Sequence, residues 1–250
     1  MRAIVGPTDP IHFDNPEGNP IFDGLPNEAY DSVLDFGCGC GRLARQMLQQ
    51  HPRPARYLGI DLHPALVKWC KQNLTPVAPE FEFRHHDVRY EAWNPGDDKP
   101  EIAPFPVEDA SRSLVIAYSV FTHLTQEHAE YYLDEVARSL RPGGFLESTW
   151  FLFDKALFPM MQDFQNALYI NDRDPSNAAI FDRGWLVEQA HERGLTVVAA
   201  TAPVVRGFHW QIRMTPSGEG AESVELPADE APVDTGGTRA AVVAPDLDRS

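Results

Sequence analysis

Val33-Leu34-Asp35-Phe36-Gly37-Cys38-Gly39-Cys40-Gly41-Arg42-Leu43 is the stretch on which the reading of this chain turns. It opens inside a short apolar run, Ser32-Val33-Leu34-Asp35-Phe36, that reads as a strand closed by glycine. From Arg42 to Gln50, Leu43, Ala44, Met47 and Leu48 then recur at helical spacing. Three alternate glycines join strand to helix. Glycine permits positive φ and lets a ligand approach the backbone, and the first turn of the helix offers free N–H groups. Two phosphate-binding patterns fail here. The dinucleotide fingerprint wants a third glycine where this chain has Arg42, and no Gly-Lys-Ser/Thr follows to make a Walker loop. Asp35, two residues before the first glycine, is expected at the lip of the loop. A carboxylate there repels a pyrophosphate and attracts a cation.

Outward from this loop, strand and helix signals alternate. Arg56–Asp61 is a second strand. Pro64 begins a helix with Leu66, Val67, Cys70 and Leu74 on one face. Phe81–Arg84 alternates as a strand, and residues 90–108, with their prolines and acidic turns, are a loop. Ser113–Tyr118 is a buried strand, and Ala129, Tyr132, Leu133, Val136, Ala137 and Leu140 form the cleanest helical stripe. Arg141-Pro142-Gly143-Gly144 should stop that helix before a strand from Phe145 to Trp150. Trp185–Arg193 reads as a helix, and Leu195–Ala200 with Gly207–Met214 as a closing β pair. Such alternation implies an α/β fold, a mostly parallel sheet with helices on both faces. Ligands of such sheets bind beyond the carboxyl ends of the strands.

Two more acids fall at strand ends. Asp61 closes the second strand, 22 residues after Gly39, where an acid can take both hydroxyls of a ribose. Asp87, in His85-His86-Asp87-Val88, ends the third, where it can accept from an exocyclic amine. Together the acids describe a pocket for a nucleoside with a positive centre and an amino-acid tail. With these pieces in order, the chain resembles the class I S-adenosylmethionine-dependent methyltransferases. The resemblance runs from about Asp31 to Trp150 and includes the closing strands. Its pieces are Asp35–Gly41, Leu58-Gly59-Ile60-Asp61 with Leu62, Asp87, the Tyr118–Leu124 segment and Leu140-Arg141-Pro142-Gly143-Gly144. It implies a Rossmann-like, mostly parallel seven-stranded sheet with the last strand antiparallel. It also implies S-adenosyl-L-methionine as methyl donor. Asp35, Gly37 and Gly39 would line the methionine part, Asp61 would hold the ribose, and Asp87 with Val88 would border the adenine. Cys38, Leu62, Tyr118 and Ser119 are further donor contacts.

An alcohol acceptor must lose its proton as it attacks, and a positioned base is typically worth ~10²–10⁴-fold. His123, in Tyr118-Ser119-Val120-Phe121-Thr122-His123-Leu124, is the candidate base. The competing reading is that it packs the next helix and shapes the donor pocket. His209 and His12 are weaker candidates, and His85 and His86 read as structural. Cys38-x-Cys40 lacks the partners of a tetrahedral site, so no metal is expected. The stretch 154–182 reads as an insertion with a helix and a polar turn, placed as a lid over the acceptor. The expected reaction is methyl transfer to a small molecule, most simply at a hydroxyl, of a sugar or glycan precursor on a loose similarity of the Ser119–Leu124 segment. The alternatives are an N- or protein methyltransferase of the same fold, or a non-catalytic donor-binding subunit.

The remaining features bound this reading. The formal net charge of −16 argues against a nucleic-acid acceptor. No apolar run approaches the ~20 residues of a membrane span, and three cysteines without a framework suit a cytoplasmic setting. Residues 1–30 read as an irregular arm pinned by Ile11, Phe13, Ile21 and Phe22, residues 31–214 as the catalytic domain, and residues 215–250, acidic and without aromatics, as a disordered tail.

Overall fold

The computed structural model describes residues 10–171, 173–204, 207–218 and 220–227. Most of these fall into two compact units, one of residues 10–104 with 112–116, the other of 105–111 with 117–227. The larger sheet has seven strands, in the order β3-β2-β1-β4-β5-β10-β9. It is mostly parallel, as the alternation of strand and helix signals implied.

The first unit carries β1 (Ser32–Phe36), β2 (Arg56–Asp61), β3 (Phe81–His85) and most of β4 (Arg112–Ala117). All pair in parallel, with Asp35 opposite Gly59 on β2 and Ile116 on β4, and Asp61 opposite His85. Every residue of β1 is buried, which is why it reads as an unbroken apolar run rather than an alternating one. Because the strands are parallel, the glycine loop, Asp61 and Asp87 all leave from the same edge. Helix α1 (Arg42–Gln49) follows the loop, and α2 (Pro64–Asn73) packs on β2 and β3. The arm has no strand or α-helix among its described residues, only 3₁₀ turns at Pro10–Phe13 and Asn27–Tyr30. It is fastened less by apolar residues than expected. Phe22 is buried but Ile11 is 66% exposed. The fastening is polar: Arg45 donates to Asp14 at 2.7 Å, and Gln46 Nε2 donates to the His12 carbonyl at 3.1 Å.

The second unit carries α3 (Gln126–Ser139), β5 (Leu140–Trp150), β6 (Leu152–Phe153), β7 (Ala167–Tyr169), β8 (Ala179–Asp182), α4 (Arg183–Glu192), β9 (Leu195–Thr201) and β10 (Trp210–Pro216). Strand β10 runs antiparallel between β5 and β9. Its core is aromatic: Phe121 stacks on Trp150 at 4.1 Å, and Phe181 on Trp185 at 5.2 Å.

Three expectations are corrected here. Arg141-Pro142-Gly143-Gly144 is not a separate stop, because β5 already begins at Leu140. Pro142 disfavours the helical region at Arg141, so the helix cannot readily run past Leu140, which is already extended at ψ 131°. Among its described residues the insertion contains no α-helix. Its chain forms β7 and β8, which join β6 in a three-stranded sheet of order β6-β8-β7, with 3₁₀ turns at Lys155–Leu157 and Pro175–Asn177. The tail does not begin at Thr215. That residue is buried in β10, its hydroxyl on the Gly144 carbonyl at 2.8 Å. Farther on, Val224 N–H donates to the Val197 carbonyl on β9 at 2.9 Å. The rest of the expected tail, 228–250, lies outside the described residues, as do residues 1–9 of the arm.

Candidate active site

The glycine loop is stitched to the end of β2. Gly37 N–H and Cys38 N–H both donate to the Ile60 carbonyl, at 2.8 and 3.1 Å. Gly39 N–H donates to Asp61 Oδ2 at 2.8 Å, and His63 N–H to Asp61 Oδ1 at 2.7 Å. One carboxylate thus clamps the loop to the first turn of α2. Burial raises the Asp61 pKa while the His63 and Gly39 N–H groups work against that rise. Each oxygen keeps a second lone-pair direction for a ligand hydroxyl. Gly39 N–H is already taken by a carboxylate, the opposite of what a phosphate cradle needs. At Gly41, the N-cap of α1, φ is +76°. A Cβ there would lie 2.6 Å from Leu74 Cδ1 and 3.0 Å from Cys70 Sγ, so the close approach of α2 requires glycine.

Asp35 is not at the lip of the loop. Its side chain is buried beneath it, accepting a hydrogen bond from the Tyr57 hydroxyl. Burial lifts its pKa to about 7, the Tyr57 hydrogen bond working against the rise. Its pull on a cation at neutral pH is therefore weaker than a free carboxylate would exert. Tyr57 was missed in the sequence, though the register held the signal: it lies two residues before Gly59, the residue facing Asp35, within diagonal reach across the pair. The Cys38 thiol is also buried, held beside Cys70, and its pKa is pushed up. Only its backbone remains for a ligand.

Asp87 lies two residues past the end of β3, exposed, in a polar cluster. Lys99 Nζ is 2.9 Å and Asn94 Nδ2 3.0 Å from its Oδ1. The Asn94 and Lys99 hydrogen bonds hold its pKa low. Neither partner was flagged in the sequence, since both come from the proline-rich loop. Beside it Val88 is buried, and the half-buried Leu62 presents its carbonyl to His85 Nε2 at 3.0 Å. His86 is buried edge-on to Phe36, in line with a structural role.

The second unit holds the other predicted residues. After Ala117, the half-buried Tyr118 leads to Ser119, which sits at φ +54°. Ser119 N–H donates to Thr149 Oγ1 at 2.7 Å, and Ser119 Oγ lies 3.2 Å from His209 Nε2. His209 stacks on Phe151 with ring centroids 4.5 Å apart. Burial, aided by the charge of His123, lowers its pKa to about 4. His123 follows in the 3₁₀ turn Phe121–His123, its Nδ1 3.1 Å from the Ser176 carbonyl. A carbonyl only accepts, so Nδ1 bears a proton in this contact, and in the neutral ring Nε2 is the nitrogen with the lone pair. Ser176 belongs to the insertion and was not anticipated as the orienting partner. A cavity of about 650 Å³ in the same unit is lined by Lys155, Asn166, Asp182, Trp185 and Glu188, among others, and shares no residue with the predicted site. Among the described residues, no group of three or more His, Cys, Asp or Glu is placed to hold a metal ion.

Comparison with known proteins bears on the same segment. The family model described as "Methyltransferase domain" matches residues 33–144. Over 122 residues the chain is 26% identical to an uncharacterized methyltransferase of Emericella nidulans, covering 48% of this chain and 42% of that protein. Over 113 residues it is 32% identical to a fatty-acid O-methyltransferase of Mycolicibacterium smegmatis, covering 45% of this chain and 34% of the relative. The alignments span less than half the length of both relatives. The fold matches that of a Burkholderia thailandensis 1,6-didemethyltoxoflavin-N1-methyltransferase, crystallised with 1,6-didemethyltoxoflavin and S-adenosylhomocysteine. That match has a TM-score of 0.50 at 19% identity, over 78% of this chain and 73% of that one.

Proposed function

The chain carries a class I S-adenosylmethionine-dependent methyltransferase domain, and from that premise we propose that it transfers a methyl group from S-adenosyl-L-methionine to a small molecule, at a hydroxyl. The observation that carries the donor half is the Asp61 clamp, which holds the glycine loop and keeps acceptor capacity for two ribose hydroxyls. Bound there, the donor supplies an electrophilic methyl on a sulfonium. The glycine loop at Gly37, Cys38 and Gly39, its N–H groups held by Ile60 and Asp61, lines the methionine part by close approach, with the Asp35 carboxyl beneath. Leu62 and Val88 border its base, with Asp87 to accept from the exocyclic amine once Lys99 gives way. Tyr118 and Ser119, just past β4, complete the set. The clamp fits this group better than a dinucleotide, because it places a carboxylate on the N–H that a pyrophosphate would need.

For the acceptor half, His123 is the base. Its Nδ1–H is committed to the Ser176 carbonyl, so Nε2 is the atom that takes the proton of an attacking hydroxyl. A sugar or glycan precursor is the acceptor class proposed, on the Ser119–Leu124 segment. The fatty-acid O-methyltransferase relative supports oxygen as the atom methylated. The test is His123→Ala with labelled donor. Turnover on a hydroxyl acceptor should fall at least ~10²-fold while S-adenosylhomocysteine binds unchanged. Turnover that barely moves refutes the base, and labelling of amines or proteins in place of hydroxyls refutes the acceptor. Donor binding without any methyl release would identify a non-catalytic subunit.

A further inference from the structure

We propose that Asp174, in the loop between β7 and β8, is a positioning residue for His123, acting through Ser176. This rests on the reading of His123 as the base and adds the group that aims it. The β7–β8 region is clamped to the segment that carries the base at three points. His123 Nδ1 lies 3.1 Å from the Ser176 carbonyl, Gln126 N–H donates to the Tyr169 hydroxyl at 2.9 Å, and Asn166 N–H donates to Gln126 Oε1 at 3.1 Å. On the base's own side, Phe121, in the same 3₁₀ turn, is fixed by its stack on Trp150. The Ser176 carbonyl, by contrast, comes from a single 3₁₀ turn, Pro175–Asn177, in which no residue is buried. Such a turn has poor hydrogen-bond geometry and holds its shape weakly alone.

Asp174 supplies what the turn lacks. It is the N-cap, yet its carboxylate takes no backbone N–H of the turn, the usual use of an acid there. It accepts the Ser176 hydroxyl instead, at 2.6 Å, a charge-assisted contact. The Asp174 carbonyl meanwhile accepts Asn177 N–H at 3.0 Å. One peptide, Ser176–Asn177, is thus held by its N–H at Asp174 and presents its C=O to His123. Aligned in series, the two hydrogen bonds polarise each other, which favours positive charge on the ring. The proton count is simple. The Nδ1 proton stays against the Ser176 carbonyl throughout. The acceptor hydroxyl's one proton goes to Nε2 as its oxygen takes the methyl, and the imidazolium then gives that proton to water. Asp174 touches no reacting atom; it decides where Nε2 points.

The test uses the full chain, labelled donor, and the best acceptor among catechol, methyl glucoside and a hydroxy fatty acid. Asp174→Ala should lower kcat about tenfold, within the roughly hundredfold that a small misplacement of a catalytic group can cost, with KM and S-adenosylhomocysteine affinity unchanged within about twofold. Asp174→Asn, which keeps an oxygen for the Ser176 hydroxyl, should recover most of the loss. Ser176→Ala, which keeps the backbone carbonyl, should match Asp174→Ala, and the double variant should lose no more than either. In a His123→Ala background, Asp174→Ala should cost nothing further, whereas a merely structural role would cost the same in both backgrounds. A second reading needs no turnover. In alkaline solution, where histidine is neutral, the ¹⁵N spectrum of His123 should show the proton on Nδ1, and Asp174→Ala should mix in the Nε2–H form. A His123→Ala loss that Asp174→Ala does not share, an Asn variant as poor as the Ala variant, equal losses with and without His123, or a tautomer indifferent to Asp174 each overturn the proposal. Wild-type turnover in His123→Ala refutes the base reading instead, and the proposal with it. With no turnover on any of the three acceptors, the tautomer decides whether Asp174 positions the ring.

Discussion

At the scale of single residues, two carboxylates that look alike in the sequence end in opposite situations. Asp61 is clamped by two backbone N–H groups and remains half-buried; Asp35 is sealed under the loop against Tyr57. Replacing Asp61 by Asn removes the charge that both N–H groups and the ribose lean on. Donor affinity should fall by about 1–3 kcal/mol, read by calorimetry with S-adenosylhomocysteine. Asp35 makes a different prediction. Its folded pKa, about 7, lies above the unfolded carboxylate value. Between pH ~4 and ~7 the native state therefore holds a proton that the unfolded state has lost, so its contribution weakens as pH rises through that window. The loss of stability from pH 5 to pH 8 should be smaller in Asp35→Asn than in the wild type by roughly 1–4 kcal/mol, measured by urea unfolding. A variant that loses stability as steeply as the wild type would contradict it. Glu147, also near 7 through burial and opposed by Arg213, makes the comparison necessary, since it adds a slope of the same sign that the variant leaves in place. The sequence placed both acids at strand ends but could not tell which would be sealed. That depends on Tyr57 reaching diagonally across the β1–β2 pair.

At the scale of elements, β1, β2 and β4 were legible because burial on both faces leaves a near-continuous apolar run, and the edge strand β3 because it alternates. The boundaries of β1 and β2 fall where the apolar runs fall. The insertion was not legible. Leu157, Phe158, Met161 and Phe164 mimic helical spacing, yet Leu157 and Phe164 are each 75% exposed. A short helix is marginal without an apolar face to bury, and Lys155 instead ties the segment by donating to the Asp163 carbonyl and Asn166 Oδ1 at 2.8 Å. Asp182 links this segment to α4, accepting from Trp185 N–H at 2.9 Å and Lys155 N–H at 2.8 Å. Asp182→Ala should cost about 1–2 kcal/mol, the upper range for an N-cap, by chemical denaturation. A change under about 0.3 kcal/mol would show that the cap is not limiting. Gly59 makes the complementary test. A Cβ there meets Phe83 Cδ1 at 2.7 Å and Cys38 Sγ at 2.9 Å. Gly59→Ala should therefore destabilise by about 1–3 kcal/mol through overpacking.

At the scale of the whole chain, the composition set the limits within which the site was read, and its acidic balance remains the argument against a polyanionic acceptor. Among the described residues no helix is long and apolar enough to cross a membrane. The C-terminal boundary was misplaced because the acidic, glycine- and proline-bearing composition after Met214 hides two residues that β10 still uses. Truncation after Met214 removes the buried Thr215 and the Val224–Val197 hydrogen bond. It should melt several degrees below truncation after Pro227, given ~2–4 °C per kcal/mol for a chain of this size. Equal melting temperatures would return the boundary to Met214. The claim on which the chemistry depends is that the glycine loop and its Asp61 clamp receive a sulfonium nucleoside. Titrating the full chain with S-adenosylhomocysteine in a calorimeter tests it directly. Saturable one-to-one binding that Asp61→Asn weakens at least about fivefold is the result expected. No heat with the wild-type chain, or binding that the substitution leaves untouched, would contradict it.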